Sequence, residues 1–169
     1  MLRLAAQTTM RDRNAFALAF LRIAVGIIFL IFSEYKVLGT QFTLGGGFQR
    51  YITGFLTDGA YPFMVPVLKN FVLPHATAFA FLVAYGELAI GLGLVLGVLV
   101  RTASWFGFVL MLTLLFSSSY PGPHAAFWMY FGASLSQSVF GLCFAAFAMG
   151  DADRVLSLRP YRHNRVAAR

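Results

Sequence analysis

The chain has 169 residues, of which 59% are hydrophobic and only 11% are charged, with a formal net charge of +7. An average soluble domain carries roughly 25% charged residues, so this composition excludes one and requires lipid as solvent. Most of the basic residues sit just outside apolar segments, where they set topology and meet lipid headgroups, so no nucleic-acid partner is expected.

Residues 1–14 are polar and carry Arg3, Arg11 and Arg13, a pattern expected of a cytoplasmic segment. The apolar stretch 15–32 reads as span one. It is expected to be retained, because it is long, contains Arg22 and lacks a small-residue cleavage site after it. Residues 34–74 are too polar, and too interrupted by Pro62, Pro66 and Gly45-Gly46-Gly47, to span; they are expected to lie on the membrane as short interfacial helices. Phe48, Tyr51, Ile52, Phe55 and Leu56 share one helical face, and a second short helix starting at Pro62 presents Phe63, Val67 and Phe71.

Span two runs over 76–100 and span three over 103–116, joined by the very short turn Arg101-Thr102, which makes the two antiparallel neighbours. Ser117-Ser118-Ser119 and Pro121-Gly122-Pro123 form the next turn, span four covers 126–149, and 150–169 is a basic cytoplasmic tail. The expected fold is an all-α membrane protein, a bundle of four transmembrane helices filling residues 15–149. A hydrocarbon core of about 30 Å takes about 20 helical residues, so this length holds four or five spans and no second, soluble domain. Arg3, Arg11, Arg13, Arg101, Arg154, Arg159, Arg162, Arg165 and Arg169 fall on one side, against Lys36, Arg50 and Lys69 on the other. That excess puts both termini in the cytoplasm, in a bacterial or archaeal inner membrane.

Several polar residues do not belong in lipid. Arg22 sits about 10 Å into span one, where a charge costs on the order of 2 to 3 kcal/mol by insertion scales. Snorkelling to the headgroups, an ion pair, or contact with a headgroup, quinone or anion would each compensate it. Glu87 falls near the middle of span two and needs a partner or a purpose. Helical side chains lean toward the helix N-terminus, so Arg22 and Glu87 lean apart, and Lys36, entering from the outer side, competes as the partner. Gly86, Gly93 and Gly97 form a small-residue stripe for close helix packing. Tyr130, Ser134, Gln137, Ser138 and Gly141 form a polar and small stripe on span four, assigned to the bundle interior and to interhelical hydrogen bonds.

His75 and His124 share a depth at the outer ends of spans, which leaves room for axial ligation of a haem or pigment, although interfacial histidines more often serve as polar caps. His163 lies in the tail. The nineteen phenylalanines could wall a quinone, yet lipid-facing packing accounts for most of them. Cys143 is the single cysteine, so no CxxC pair, disulfide framework or cysteine-based metal site is available, and no metal site is expected. No nucleotide-binding, zinc-hydrolase or serine-hydrolase motif is present.

Leu21-Arg22-Ile23-Ala24-Val25-Gly26-Ile27-Ile28-Phe29-Leu30 with Lys36 after it, the run from Glu87 to Arg101, and the ending Gly150-Asp151-Ala152-Asp153-Arg154-Val155-Leu156-Ser157-Leu158 occur in this order. In these the chain resembles the DoxX-like small membrane proteins, which include the DoxD-like membrane subunit of thiosulfate:quinone oxidoreductase. The resemblance implies a four-helix membrane bundle acting with soluble or membrane redox partners, and in the DoxD-like branch a link to the quinone pool. It points to Arg22, Lys36, Glu87 and Arg101. Where many relatives place a small His-Gly-like element before the lysine, this chain has Ser33-Glu34-Tyr35, which puts chemistry tied to that element in doubt.

The expected function is an integral membrane subunit of a respiratory or sulfur-oxidising, quinone-linked electron-transfer assembly, with membrane or peripheral redox subunits as partners. Without a redox centre of its own, such a chain can bind a quinone or brace a partner but cannot pass electrons alone. A non-catalytic accessory subunit of a respiratory or photosynthetic complex is the alternative. A small transporter comes third, since span two shows neither the break nor the polar path it would need.

Overall fold

A computed structural model describes the backbone of residues 2–132 and 134–158, and their side chains from residue 13 onward. Among these residues the regular structure is all helix, with no strand. Helix α1, Leu2–Leu38, has no proline or interior break beyond Gly26 and ends at Gly39. Its portion Arg13–Leu38 is long and apolar enough to cross a membrane, so the first span reaches six residues beyond its expected end at residue 32. The segment 39–75 holds α2 (Thr40–Thr43), α3 (Gly47–Asp58), α4 (Val65–Val67) and a π-helical turn, Leu68–Val72.

Helices α5 (Ala76–Leu96) and α6 (Val100–Ser117) are the second and third candidate spans. Span two stops short of residue 100 because Gly97, at φ +71°, closes α5, with Leu99 also left-handed at φ 52°. Arg101 consequently lies in the first turn of α6 rather than in the connection. The expected span 126–149 divides into α7 (Met129–Gly132) and α8 (Leu135–Met149). With 15 residues, α8 rises only about 22 Å, less than the thickness of the hydrocarbon core. Three helices are therefore long enough to span, and α8 is an apolar but shorter fourth.

Helix α1 packs along α5, and α6 along α8. The first contact is made by Gly26, where a Cβ would stand 2.9 Å from Leu94 Cβ and 3.0 Å from the Val95 nitrogen, and by Gly91, where it would meet Leu30 and the Gly26 carbonyl. In α6, a Cβ at Gly107 would collide with the Phe144 ring. Of the Gly86, Gly93, Gly97 stripe, Gly93 packs against Ala103 of α6, where a Cβ would stand 3.1 Å from the Ala103 Cβ, and Gly97 against Ser157, while Gly86 meets nothing within 4 Å. Gly86→Ala should therefore stabilise the protein by about 0.5–1 kcal/mol, the ordinary helical gain, whereas Gly26→Ala should destabilise it because backbone must move. Thermal unfolding of the two variants in one detergent checks the opposite signs.

The bundle core joins Val25, Phe29, Ile90, Leu94, Met111, Phe144 and Phe147, with Phe29 and Phe144 edge to face at 5.1 Å. A second cluster sits at the loop end, where Phe42, Phe48, Ile52, Leu68 and Val72 close over Ala80 and Ala84 of α5. The segment 34–74 thus packs on the bundle instead of only resting on the membrane. In α3, Phe48 and Ile52 are buried as expected of that face, Phe55 and Leu56 half-buried, and Tyr51 exposed. Phe63, Val67 and Phe71, expected to be presented together after Pro62, share the exposed face, while Leu68 and Val72 are buried against the bundle. The π-helical turn, with Leu73 N–H donating to the Leu68 carbonyl at 2.8 Å, inserts an extra residue and rotates the register.

The loop end is tied together at Tyr61, whose N–H donates to the Phe116 carbonyl at 3.0 Å and whose hydroxyl donates to the Tyr130 carbonyl at 3.3 Å. Burial, with Tyr130 and Tyr120 alongside, pushes the Tyr61 phenol upward, which keeps it a neutral donor. At the opposite, tail end, residues 150–158 do not trail away. They fold back over the bundle, with Ala152 fully buried in the core.

Candidate functional site

Glu87 occupies the middle of α5 and Lys36 lies two residues before the end of α1. Because the helices are antiparallel, the side chain of Lys36 leans down from the loop end while that of Glu87 leans up toward it. They meet: Lys36 Nζ lies 2.5 Å from Glu87 Oε2, with side chains only 13% and 8% exposed. The ammonium also stands 5.3 Å from the centre of the Phe42 ring and 5.7 Å from that of Tyr35, aromatic faces that favour a cation.

Beside this pair is a cavity of about 230 Å³. Its walls are apolar, from Ile28, Phe29 and Phe32 on α1, Met111 and Leu114 on α6, and Phe140 on α8. Its polar groups are Lys36 and Glu87 on one side of the chain, and Ser136 and Gln137 in the first turn of α8. Ser136 Oγ donates to Gln137 Oε1 at 2.7 Å. The cavity therefore offers a donor amide, an ammonium and a carboxylate within hydrocarbon walls, a setting for a flat apolar ring bearing polar atoms.

Arg22 is elsewhere. It is fully buried at the tail end, where Nη2 donates to the Leu156 carbonyl at 2.6 Å and the charge of Asp153 acts on it. It neither snorkels nor shares a face with Glu87. Its Nε and Nη1 have no hydrogen-bond partner among the described residues. Arg101 is exposed near the same end. Of the span-four stripe, Ser134 is buried, and Ser138 Oγ is 3.2 Å from both the Ser134 and Phe131 carbonyls, holding the start of α8. Gln137 alone of these reaches the cavity.

His75 and His124 are both exposed, and His75 Nδ1 is 2.9 Å from the Phe71 carbonyl. Neither lines the cavity or enters the bundle, so they are not placed as an axial pair. His163 and the tail arginines from Arg159 onward lie outside the described residues, as do the side chains of Arg3 and Arg11. Among the described residues no three His, Cys, Asp or Glu side chains come together to hold a metal ion. Sequence reasoning did not single out Ser136, Phe32 or Phe140. The crowding of Ser134, Ser136, Gln137 and Ser138 at one helix start was the available signal.

Helical spans packed around a buried lysine–glutamate pair define a multi-pass membrane protein with a polar site in its apolar interior. The family model described as DoxX matches residues 17–119, and the chain belongs to that family. The match takes in Arg22, Lys36, Glu87 and Arg101, while α8 and the folded-back end lie beyond it. No curated protein and no solved structure matches the chain.

Proposed function

We propose that this protein is the membrane subunit of a quinone-linked electron-transfer assembly, and that the cavity beside Lys36 and Glu87 receives the quinone ring. The observation that carries this reading is the cavity itself, with aromatic walls and a few hydrogen-bonding groups between the candidate spans. At about 230 Å³ it is smaller than the roughly 300–1,000 Å³ of sites for drug-sized ligands, which suits a single substituted ring with its tail in lipid. Phe29, Phe32 and Phe140 would pack the ring, Gln137 and Lys36 would donate to its oxygens, and Glu87 would accept a hydroxyl proton. The quinone supplies the two-electron chemistry when bound, and partner redox subunits supply or remove the electrons.

In this reading α8 is the fourth span, crossing with help from the apolar residues of α7. Both ends face the cytoplasm of a bacterium or archaeon, supported by the nine basic residues at the terminal end against three at the loop end.

The test is saturable binding of decylubiquinone to the purified protein in lipid nanodiscs, expected at one ring per chain. Leu114→Trp, which fills the cavity, should abolish binding with helical content unchanged, and Ile28→Phe should weaken it. If the wild type shows no saturable binding, the quinone reading fails and a purely structural accessory role takes its place.

A further inference from the structure

We infer that the cavity is loaded sideways from the bilayer, through a mouth between α1 and α8 whose lips are Phe32 and Ser136, and that its ligand carries an apolar tail that lies in this mouth. The inference rests on the quinone reading above and adds to it the route of entry and the path of the tail.

The opening is located by which lining residues reach the surface. Glu87 of α5 and Met111 of α6 are buried, as is Phe29 of α1. Ile28, Leu114, Gln137 and Phe140 are half-buried. Phe32, 58% exposed, and Ser136 are the lining residues that stand open, one on α1 and the other on α8. The loop-end side is closed by the Lys36 side chain, which pairs with Glu87 and has the Phe42 ring 5.3 Å away.

The seam between these two helices is shut below the mouth and ends at it. Toward the tail end, a Cβ on Gly150 would stand 3.3 Å from Leu18 Cδ1. Nearer the cavity, Phe29 packs edge to face with Phe144 at 5.1 Å and with Phe140 at 6.1 Å. Helix α8 begins at Leu135, little more than a turn from Phe140, so on the loop side the seam has no further wall from α8. The break before α8 is thus what leaves the cavity open.

The surface around the mouth is apolar. Ile31 adjoins Phe32, Leu135 adjoins Ser136 and Val139 follows it, and all three are exposed. Phe32 lies inside the candidate span Arg13–Leu38, so this opening faces lipid chains and not water. A cavity of about 230 Å³ holds a ring and little else, so a tail attached to that ring has to leave by the mouth.

A ubiquinone analogue bearing a photoreactive diazirine on the first carbons of its alkyl tail is bound to the full chain in lipid nanodiscs and irradiated, with and without excess decylubiquinone, and the labelled residues are mapped by mass spectrometry. Labelling that decylubiquinone competes away should fall on residues 28–32 and 135–140. Ser136→Trp, which narrows the mouth at an exposed position, should cut that labelling several-fold with helical content unchanged. Saturable binding without competed labelling at the mouth, or with labelling that Ser136→Trp leaves unchanged, overturns the inference and leaves the quinone reading standing. Absence of saturable binding overturns both.

Discussion

Replacing Lys36 by Met should lower the unfolding midpoint sharply, and adding Glu87→Leu should recover most of that loss. The pair is largely buried, and its charges meet at 2.5 Å. Removing one partner strands the other charge in the protein interior, which typically costs about 3–5 kcal/mol. Replacing both by apolar residues removes the desolvation cost together with the attraction, so the double variant lies near the wild type. The single variants should not be equal. Lys36 stands two residues from the end of α1, so in Glu87→Leu its long side chain can swing toward the loop-end headgroups. Glu87 is held in the middle of α5 and has no such exit. Lys36→Met is therefore the more damaging change. Midpoints for all four proteins in one detergent form a double-mutant cycle. A double variant no better than Lys36→Met would mean the pair is not what couples α1 to α5.

How much of this was visible beforehand depended on the range of the interaction. The three helices able to span were legible, because an uninterrupted apolar run carries its own signal and needs no partner to reveal it. Lys36 was in view as a partner for Glu87 because the lean of helical side chains is a local property of each helix. The same rule kept Arg22 and Glu87 apart, and Arg22 indeed bonds the Leu156 carbonyl at the tail end while Glu87 pairs with Lys36. The break before α8 was marked only by Gly132 and Ser134, at the end of α7 and the N-cap of α8, and the apolar run Phe127, Trp128, Met129, Tyr130 and Phe131 masked it. The π-helical turn over Leu68–Val72 was not legible, because it leaves no mark in the spacing. Of the Gly86, Gly93, Gly97 stripe, Gly93 and Gly97 are used for close approach and Gly86 is not. A small residue permits a close approach but does not say which neighbour uses it, and the α1–α5 contact is made by Gly26 and Gly91 instead. The folded-back end was visible only as a terminal turn in the family resemblance, since its contacts join residues as far apart as Arg22 and Leu156.

That end yields the second large effect, expected from Gly97→Ala. Gly97 has φ +71°, which already costs an L-residue roughly 1–2 kcal/mol. A Cβ there would also stand 2.5 Å from Arg22 Nη1 and 2.7 Å from Ser157 Cα, so the guanidinium and residues 150–158 cannot both stay where they are. Two bonds would go with them, from Ser157 Oγ to the Gly97 carbonyl at 2.9 Å and from Leu158 N–H to the Leu96 carbonyl at 3.0 Å. Gly97→Ala should therefore expose Arg154 to trypsin and speed hydrogen exchange over 150–158, with a fall in the unfolding midpoint. Arg22→Met should free the same segment at a smaller global cost. It orphans the Leu156 carbonyl, a loss of about 1–3 kcal/mol, but it also removes a buried charge whose Nε and Nη1 are unpaired among the described residues. Gly86→Ala, facing open space on the same helix, is the control and should change neither readout. If exchange over 150–158 is unchanged in both Gly97→Ala and Arg22→Met, burial of Ala152 holds the segment and the contacts around Arg22 do not.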